Sequence, residues 1–245
     1  MSRRFWNWTN PDPDNPAPDS GGRVLHINGP IAEESWFEDE TTPDLFATEL
    51  NSGTGDISVW INSPGGDCIA AAQIYNMLMD YPGHVTVIID GLAASAASVI
   101  AMAASTVKMT PVSMMMIHNP ATLAMGDKNE LGKAIDMLDA VKESIINAYE
   151  LKTGMQRAKL ARLMDAETWM DARAAIEMGF ADELHHPTTG QDAALADPVV
   201  FNRRTTELAL INKITATQPV KPVPKPAIPQ GRSLAKALTD LLATK

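Results

Sequence analysis

The chain holds a single cysteine, Cys68, in 245 residues. That excludes an intrachain disulfide framework and a cysteine-based zinc cluster, and it suits a reducing compartment such as the cytoplasm. Aromatic residues are also scarce, at 5%, against 14 methionines, so the core is expected to be aliphatic. No long apolar run occurs. A charge-free stretch of 17 residues, rich in Ala, Ser and Gly, lies between Asp90 and Lys108. It is too short and too weakly apolar to span a bilayer, and reads as a buried helix. Arg3 and Arg4 are followed by Phe5-Trp6-Asn7-Trp8 rather than by an apolar segment, so no signal peptide and no membrane partner are expected. Basic charge is thin over most of the chain. Residues 201–245 carry eight Lys or Arg against Glu207 and Asp240, a charge of +6, which leaves −16 on the first 200 residues of a chain whose total is −10. An acidic body excludes nucleic acid as the expected partner. The basic tail suits either an acidic partner or plain solvation.

What is present divides into three parts. Residues 1–22 place Pro11, Pro13, Pro16 and Pro18 among Asp and Asn; prolines cannot donate to a ladder, so an extended N-terminal arm is expected, with Phe5, Trp6 and Trp8 docking on a neighbouring surface. Residues 23–186 read as the folded domain. Residues 187–245 are polar, then Pro-rich from Pro219 to Pro229. They close with Leu234, Leu238, Leu241 and Leu242 spaced along one face of a short amphipathic helix, marginal unless it finds a partner.

Within 23–186 strands and helices alternate. Val24–Asn28, Asp56–Asn62, Val85–Ile89 and Met114–Ile117 read as strands. Helices are expected over Pro43–Leu50 (capped by Thr42), over 69–80, after Gly91, over about 127–152, and in a short segment ending at Gly179. Repeated β-α-β units predict an α/β fold with a mainly parallel sheet and right-handed crossovers.

Four segments carry chemistry. In Asn62-Ser63-Pro64-Gly65-Gly66-Asp67, two glycines between a strand and a helix let the backbone approach a ligand with amide hydrogens outward, as an oxyanion hole requires. In Gly91-Leu92-Ala93-Ala94-Ser95-Ala96-Ala97-Ser98, Ser95 opens a helix among residues with almost no side chain, which leaves room for a carbonyl and favours negative charge beside it. It is not Gly-x-Ser-x-Gly, so the α/β-hydrolase elbow is unmatched. In Met114-Met115-Met116-Ile117-His118-Asn119-Pro120, His118 follows a strand, where a neutral imidazole can take a serine proton. The segment Asp165-Ala166-Glu167-Thr168-Trp169-Met170-Asp171 offers three carboxylates that can orient an imidazole, and nothing local chooses among them. Taken singly, each segment has an ordinary reading: a turn, a packed Ala/Ser helix, a core histidine, solvated carboxylates.

In combination they resemble the Clp protease proteolytic subunit family (ClpP) of serine peptidases, over about residues 23–186. Asn62-Ser63-Pro64-Gly65-Gly66, Ala93-Ala94-Ser95 and Met116-Ile117-His118-Asn119-Pro120 match its central motifs, and Ala175–Asp182 resembles its closing helix and strand. The resemblance implies a ClpP/crotonase-like fold whose long helix 127–152 is the protruding handle of a ring, heptameric in that family. It implies Ser95 as nucleophile, His118 as general base, and the amides of Gly66 and Ala96 as oxyanion hole. The family's Asp-Arg-Asp-x-aromatic run, aligned on Trp169, puts Glu167 at the catalytic acid, Ala166 at the arginine and Asp165 at the first aspartate. No metal or redox cofactor is implied. Phe5-Trp6-Asn7-Trp8, Glu34-Ser35-Trp36 and Glu167-Thr168-Trp169 are more similar to the ClpP-related head maturation proteases of tailed bacteriophages and prophages. The expected activity is therefore cleavage of capsid or scaffold proteins, in the host cytoplasm or inside assembling proheads, without an ATPase. The alternatives are a bacterial ClpP paralogue that degrades chains delivered by an ATPase, and a non-catalytic assembly scaffold on the same fold.

Overall fold

The computed structural model describes residues 4–9, 22–31, 43–185 and the backbone of 200–202. Glu34-Ser35-Trp36, Thr42 and, apart from the backbone of 200–202, residues 187–245 with the amphipathic helix expected there lie outside the described residues. In chain order the elements are β1 (Trp6–Thr9), β2 (Arg23–Asn28), α1 (Pro43–Leu50), β3 (Ile57–Ser63), α2 (Cys68–Met79), β4 (Val85–Ala94), α3 (Ala96–Ala101), β5 (Thr106–Met109), β6 (Met114–Ile117), α4 (Lys128–Thr153), α5 (Arg157–Asp165), β7 (Thr168–Asp171), α6 (Ala172–Glu177), β8 (Glu183–Leu184) and β9 (Val200–Asn202).

The centre of the sheet is parallel, as β-α-β repetition demands: β2, β3 and β4 run side by side in the same direction. The residues of one face, Leu25, Ile27, Val59, Ile61, Val87 and Ile89, are fully buried, whereas His26, Trp60 and Thr86 on the other are partly exposed. β4 is longer than its apolar run. It continues through Gly91 to Ala94 and forks the sheet: Thr86–Ile89 pairs with β5, whereas Leu92–Ala94 pairs with β6. Gly91 lies at the fork, where a Cβ would lie 2.6 Å from the Asn62 Oδ1 and would require that side chain to shift. The Ala-rich stretch is thus half strand and half helix; only Ala96–Ala101 is helical, and every residue of it is buried.

The sheet's ends depart from the parallel expectation. β7 is antiparallel to β6, and β9 to β7. At the opposite end β1 is antiparallel to β2, which corrects the reading of residues 1–22 as an arm apart from the domain. Phe5 and Trp6 are core residues. Trp6 stacks edge-on against Phe46 at 5.3 Å and donates its indole N–H to Glu49 at 2.8 Å. The aromatics win over the neighbouring prolines because the first proline comes at position 11, after the strand has ended, and two buried rings recover several kcal/mol, roughly 2–3 each.

α4 behaves differently from the other helices. Asp127 and Glu130 close a full capping box at its start, and Gly154, at φ 66°, ends it. Of its 26 residues only Ile146, Ala148 and Tyr149 are buried, all in its last third. The stripe Leu131, Ile135, Leu138, Val141, Ile145 therefore packs on the domain at one end and stands in solvent at the other, where Ile135 is 60% exposed. α5 returns beside α4, tied by Arg157 to Glu143, Asn147 and Glu150.

Candidate active site

Three strand registers bring the candidate residues together. β4 and β6 are parallel with Ala94 opposite Met116, and the Ser95 amide donates to the Met116 carbonyl at 2.9 Å. Ser95 and His118 therefore leave the carboxyl ends of adjacent parallel strands, where α/β sheets present ligands. β7 then pairs with β6 so that Thr168 faces Ile117, which sets Glu167 one residue from Thr168 as His118 is one residue from Ile117. The result is a contact between residues 23 positions apart: His118 Nε2 lies 2.8 Å from Ser95 Oγ.

Ser95 sits on a sharp strand-to-helix turn at φ 54°, ψ −124°. Glu167 has φ 50°, and these two are the non-glycine residues with positive φ among the described residues. Non-glycine residues in such regions cost about 1–3 kcal/mol each and persist where surrounding contacts over-determine them.

The glycine loop is pressed against this turn. Ser63 Oγ donates to the Gly29 carbonyl at 2.7 Å and accepts the Gly65 amide at 3.1 Å. Gly65 has φ 93°, and a Cβ on it would fall 2.6 Å from the Ala94 carbonyl oxygen and 2.7 Å from Ser95 Cβ. Gly66 has φ 150°, and a Cβ there would strike the Ile31 carbonyl oxygen at 2.3 Å. Ile31 brackets Gly66 in parallel fashion, donating to the Gly65 carbonyl and accepting from the Asp67 amide. That pairing turns the Gly66 N–H away from Ile31. Ala96, the first residue of α3, has an amide with no intrahelical acceptor.

The electrostatics divide the three carboxylates. Burial holds the His118 pKa below its ordinary value, and the Glu167 charge partly offsets that by raising it. A neutral imidazole near neutral pH is the form that can accept a hydroxyl proton. Asp165 is engaged elsewhere: Asn119 Nδ2 donates to it at 2.9 Å and Lys142 Nζ at 2.5 Å, and these bonds, the Lys142 one first, hold its pKa below the usual range. Asp171 is the N-cap of α6 and accepts the Ala174 amide at 2.8 Å. Glu167 accepts the Trp169 indole N–H at 3.3 Å. The segment read as loop carboxylates is thus a helix end, a turn and a strand. Lys142 and Asn119 were not singled out for this neighbourhood; Lys142 arrives from α4, and its spacing from Asp165 carries no local signal.

A serine hydroxyl bonded to an imidazole beside a pair of glycines on an α/β scaffold fits a class, the hydrolases that act through a serine nucleophile. The comparisons narrow that class. The Clp protease family model matches residues 22–188. The chain is 30% identical to the ATP-dependent Clp protease proteolytic subunit 1 of Chlamydia muridarum over 166 residues, 66% of this chain and 85% of that one. It is 31% identical to proteolytic subunit 2 of Thermobifida fusca over 164 residues, 66% and 80% of the two chains. With the proteolytic subunit of Bacteroides fragilis the identity is 33% over 142 residues, 57% and 68%. The chain belongs to the Clp protease family and is a serine-type peptidase of ClpP-like fold.

Proposed function

We propose that Ser95 is the nucleophile, His118 the general base and Glu167 the acid of the triad, with the Gly66 and Ala96 amides as oxyanion hole. The observation that carries this is the 2.8 Å contact between His118 Nε2 and Ser95 Oγ in a turn that admits no side chain at position 65. Ser95 Oγ attacks the scissile carbonyl carbon while Nε2 takes its proton. The carbonyl oxygen, now anionic, accepts the two amide hydrogens. Collapse expels the amine, which takes the proton back from His118, and water releases the acyl group by the same route. Glu167 steadies the imidazolium, its negative charge favouring the protonated ring.

The substrate reading we favour is capsid or scaffold protein cut during head assembly of a tailed phage, by a homo-oligomeric ring in the host cytoplasm or inside the prohead. What supports it is the resemblance carried by Phe5–Trp8 and Glu167–Trp169, together with Ala166 where the cellular family carries arginine. A second reading, supported by relatives named as subunits of an ATP-dependent protease, is degradation of unfolded chains with an ATPase. Ser95→Ala tests the chemistry: peptide hydrolysis and fluorophosphonate labelling are both expected to vanish while assembly persists, and labelling that survives rejects Ser95. Co-expression with the capsid and scaffold genes of the same element tests the substrate. Cleavage by the parent and none by Ser95→Ala supports maturation, whereas cleavage only on adding an unfoldase and ATP supports degradation.

A further inference from the structure

Behind the nucleophile lies a hydrogen-bonded pair that the triad does not use. Ser98, one turn into α3, and Tyr149, at the buried end of α4, are both essentially inaccessible. Ser98 Oγ donates to the Ser95 carbonyl at 2.6 Å and lies 2.9 Å from the Tyr149 hydroxyl. A hydroxyl has one hydrogen. Ser98 gives its own to Ser95, so Tyr149 must be the donor to Ser98. A serine bonding back along its own helix is commonplace; a buried phenol from a helix 51 positions away that fixes which way the serine points is not. Burial pushes the phenol's pKa far up, which favours its protonated, donating form.

The carbonyl at the end of this chain belongs to the residue with the strained backbone. It also receives the amides of Ser98 at 3.0 Å and Val99 at 3.4 Å, so three donors converge on it. The Ser95 amide is held from the other side by Met116. Both ends of the residue are thus tied, which fixes the origin from which its side chain reaches His118.

We infer that Ser98 and Tyr149 are positioning residues, a buried relay that clamps the Ser95 carbonyl to the base of α4 and so aims the nucleophile at His118. The inference rests on Ser95 being the nucleophile, which the Ser95→Ala experiment decides independently. Tyr149 acts through Ser98, so their effects are not additive.

The test uses the purified full chain in its assembled form, with hydrolysis of a short fluorogenic peptide and the second-order rate of fluorophosphonate labelling at Ser95. Ser98→Ala is expected to lower kcat and the labelling rate together, roughly tenfold, with KM within about twofold. Tyr149→Phe keeps the ring and removes the donor, and is expected to cost roughly threefold to fivefold in the same two quantities. The double variant is expected to be no slower than Ser98→Ala alone. Phe180→Leu serves as the control, since Phe180 packs edge-on against the Tyr149 ring at 5.5 Å without touching its hydroxyl. It is expected to lower the melting temperature and leave kcat within about twofold. If Ser98→Ala does not fold, Tyr149→Phe decides. Parent-like kcat and labelling in Tyr149→Phe, or a kcat that merely follows melting temperature across all the variants including Phe180→Leu, overturns the inference. Either result, with Ser95→Ala inactive, leaves the nucleophile assignment standing.

Discussion

The two sides of the candidate site are built by different means. On the glycine side, main chain touches main chain: Gly65 is packed so closely on Ala94, Ser95 and Ala96 that one added carbon has nowhere to go. On the carboxylate side, three acids within seven residues reach their partners through side chains, and each has its own work. Asp165 holds Lys142 and Asn119, Glu167 acts on His118, and Asp171 caps a helix. Positions fixed by backbone contact leave no slack, so they specify residues by what is missing from them. Positions fixed by side-chain reach tolerate a change of length, which on the proposed assignment lets Glu167 stand where the family pattern carries aspartate.

Substitution breaks or sharpens this contrast. The largest effect is expected from Gly65→Ala, whose Cβ collides with Ser95 and whose φ of 93° strains any L residue. Hydrolysis should fall on the order of 10⁴-fold or more, approaching removal of the nucleophile, while circular dichroism stays native. A drop of less than tenfold breaks the idea that this side has no slack. Next comes Glu167→Gln, expected to cost about 10²- to 10⁴-fold in kcat, far more than Asp165→Asn. It also carries a pH signature. Activity needs neutral His118, so kcat/KM falls as pH drops through the His118 pKa. Glu167 raises that pKa, so removing its charge must move the acid limb of the residual activity to lower pH. A limb that moves up, or an Asp165→Asn variant that is the slower of the two, reassigns the acid. The smallest effect is expected from Asp171→Ala, which removes the α6 cap: about 1 kcal/mol of stability in thermal melts, with kcat within about twofold.

The α/β class and the order glycine loop, serine, histidine, acid were legible because each rests on local grammar. Glycines follow a strand, an apolar run precedes His118, and the heptad-like stripe marks α4. What escaped was set at a distance. β1 was hidden because Trp6–Thr9 is too short to show alternation and sits beside prolines; its antiparallel pairing with β2, and the packing of Trp6 on Phe46 and Glu49 of α1, make it a strand. The extension of β4 through Gly91 was masked by glycine and alanine, which favour no extended ladder on their own. β5 and α5 were not anticipated at all; α5 is strongly charged, and its buried face is just Leu160 and Met164. The choice among Asp165, Glu167 and Asp171 is out of reach from the residues alone, since what favours Glu167 is the antiparallel pairing of β7 with β6, a long-range fact.

The positive φ values at Ser95 and Glu167 bear on the history of such chains. Glycine would adopt either conformation freely, so both positions carry a standing cost that surrounding contacts offset and that, on the proposed assignment, selection for hydrolysis maintains. A lineage that kept this fold as a passive building block would feel no pressure to retain it. Drift would then favour glycine at these two places, ahead of any change in the surrounding core. Glycine at both positions in a related chain would be the footprint of lost enzymatic use, readable before any assay is run.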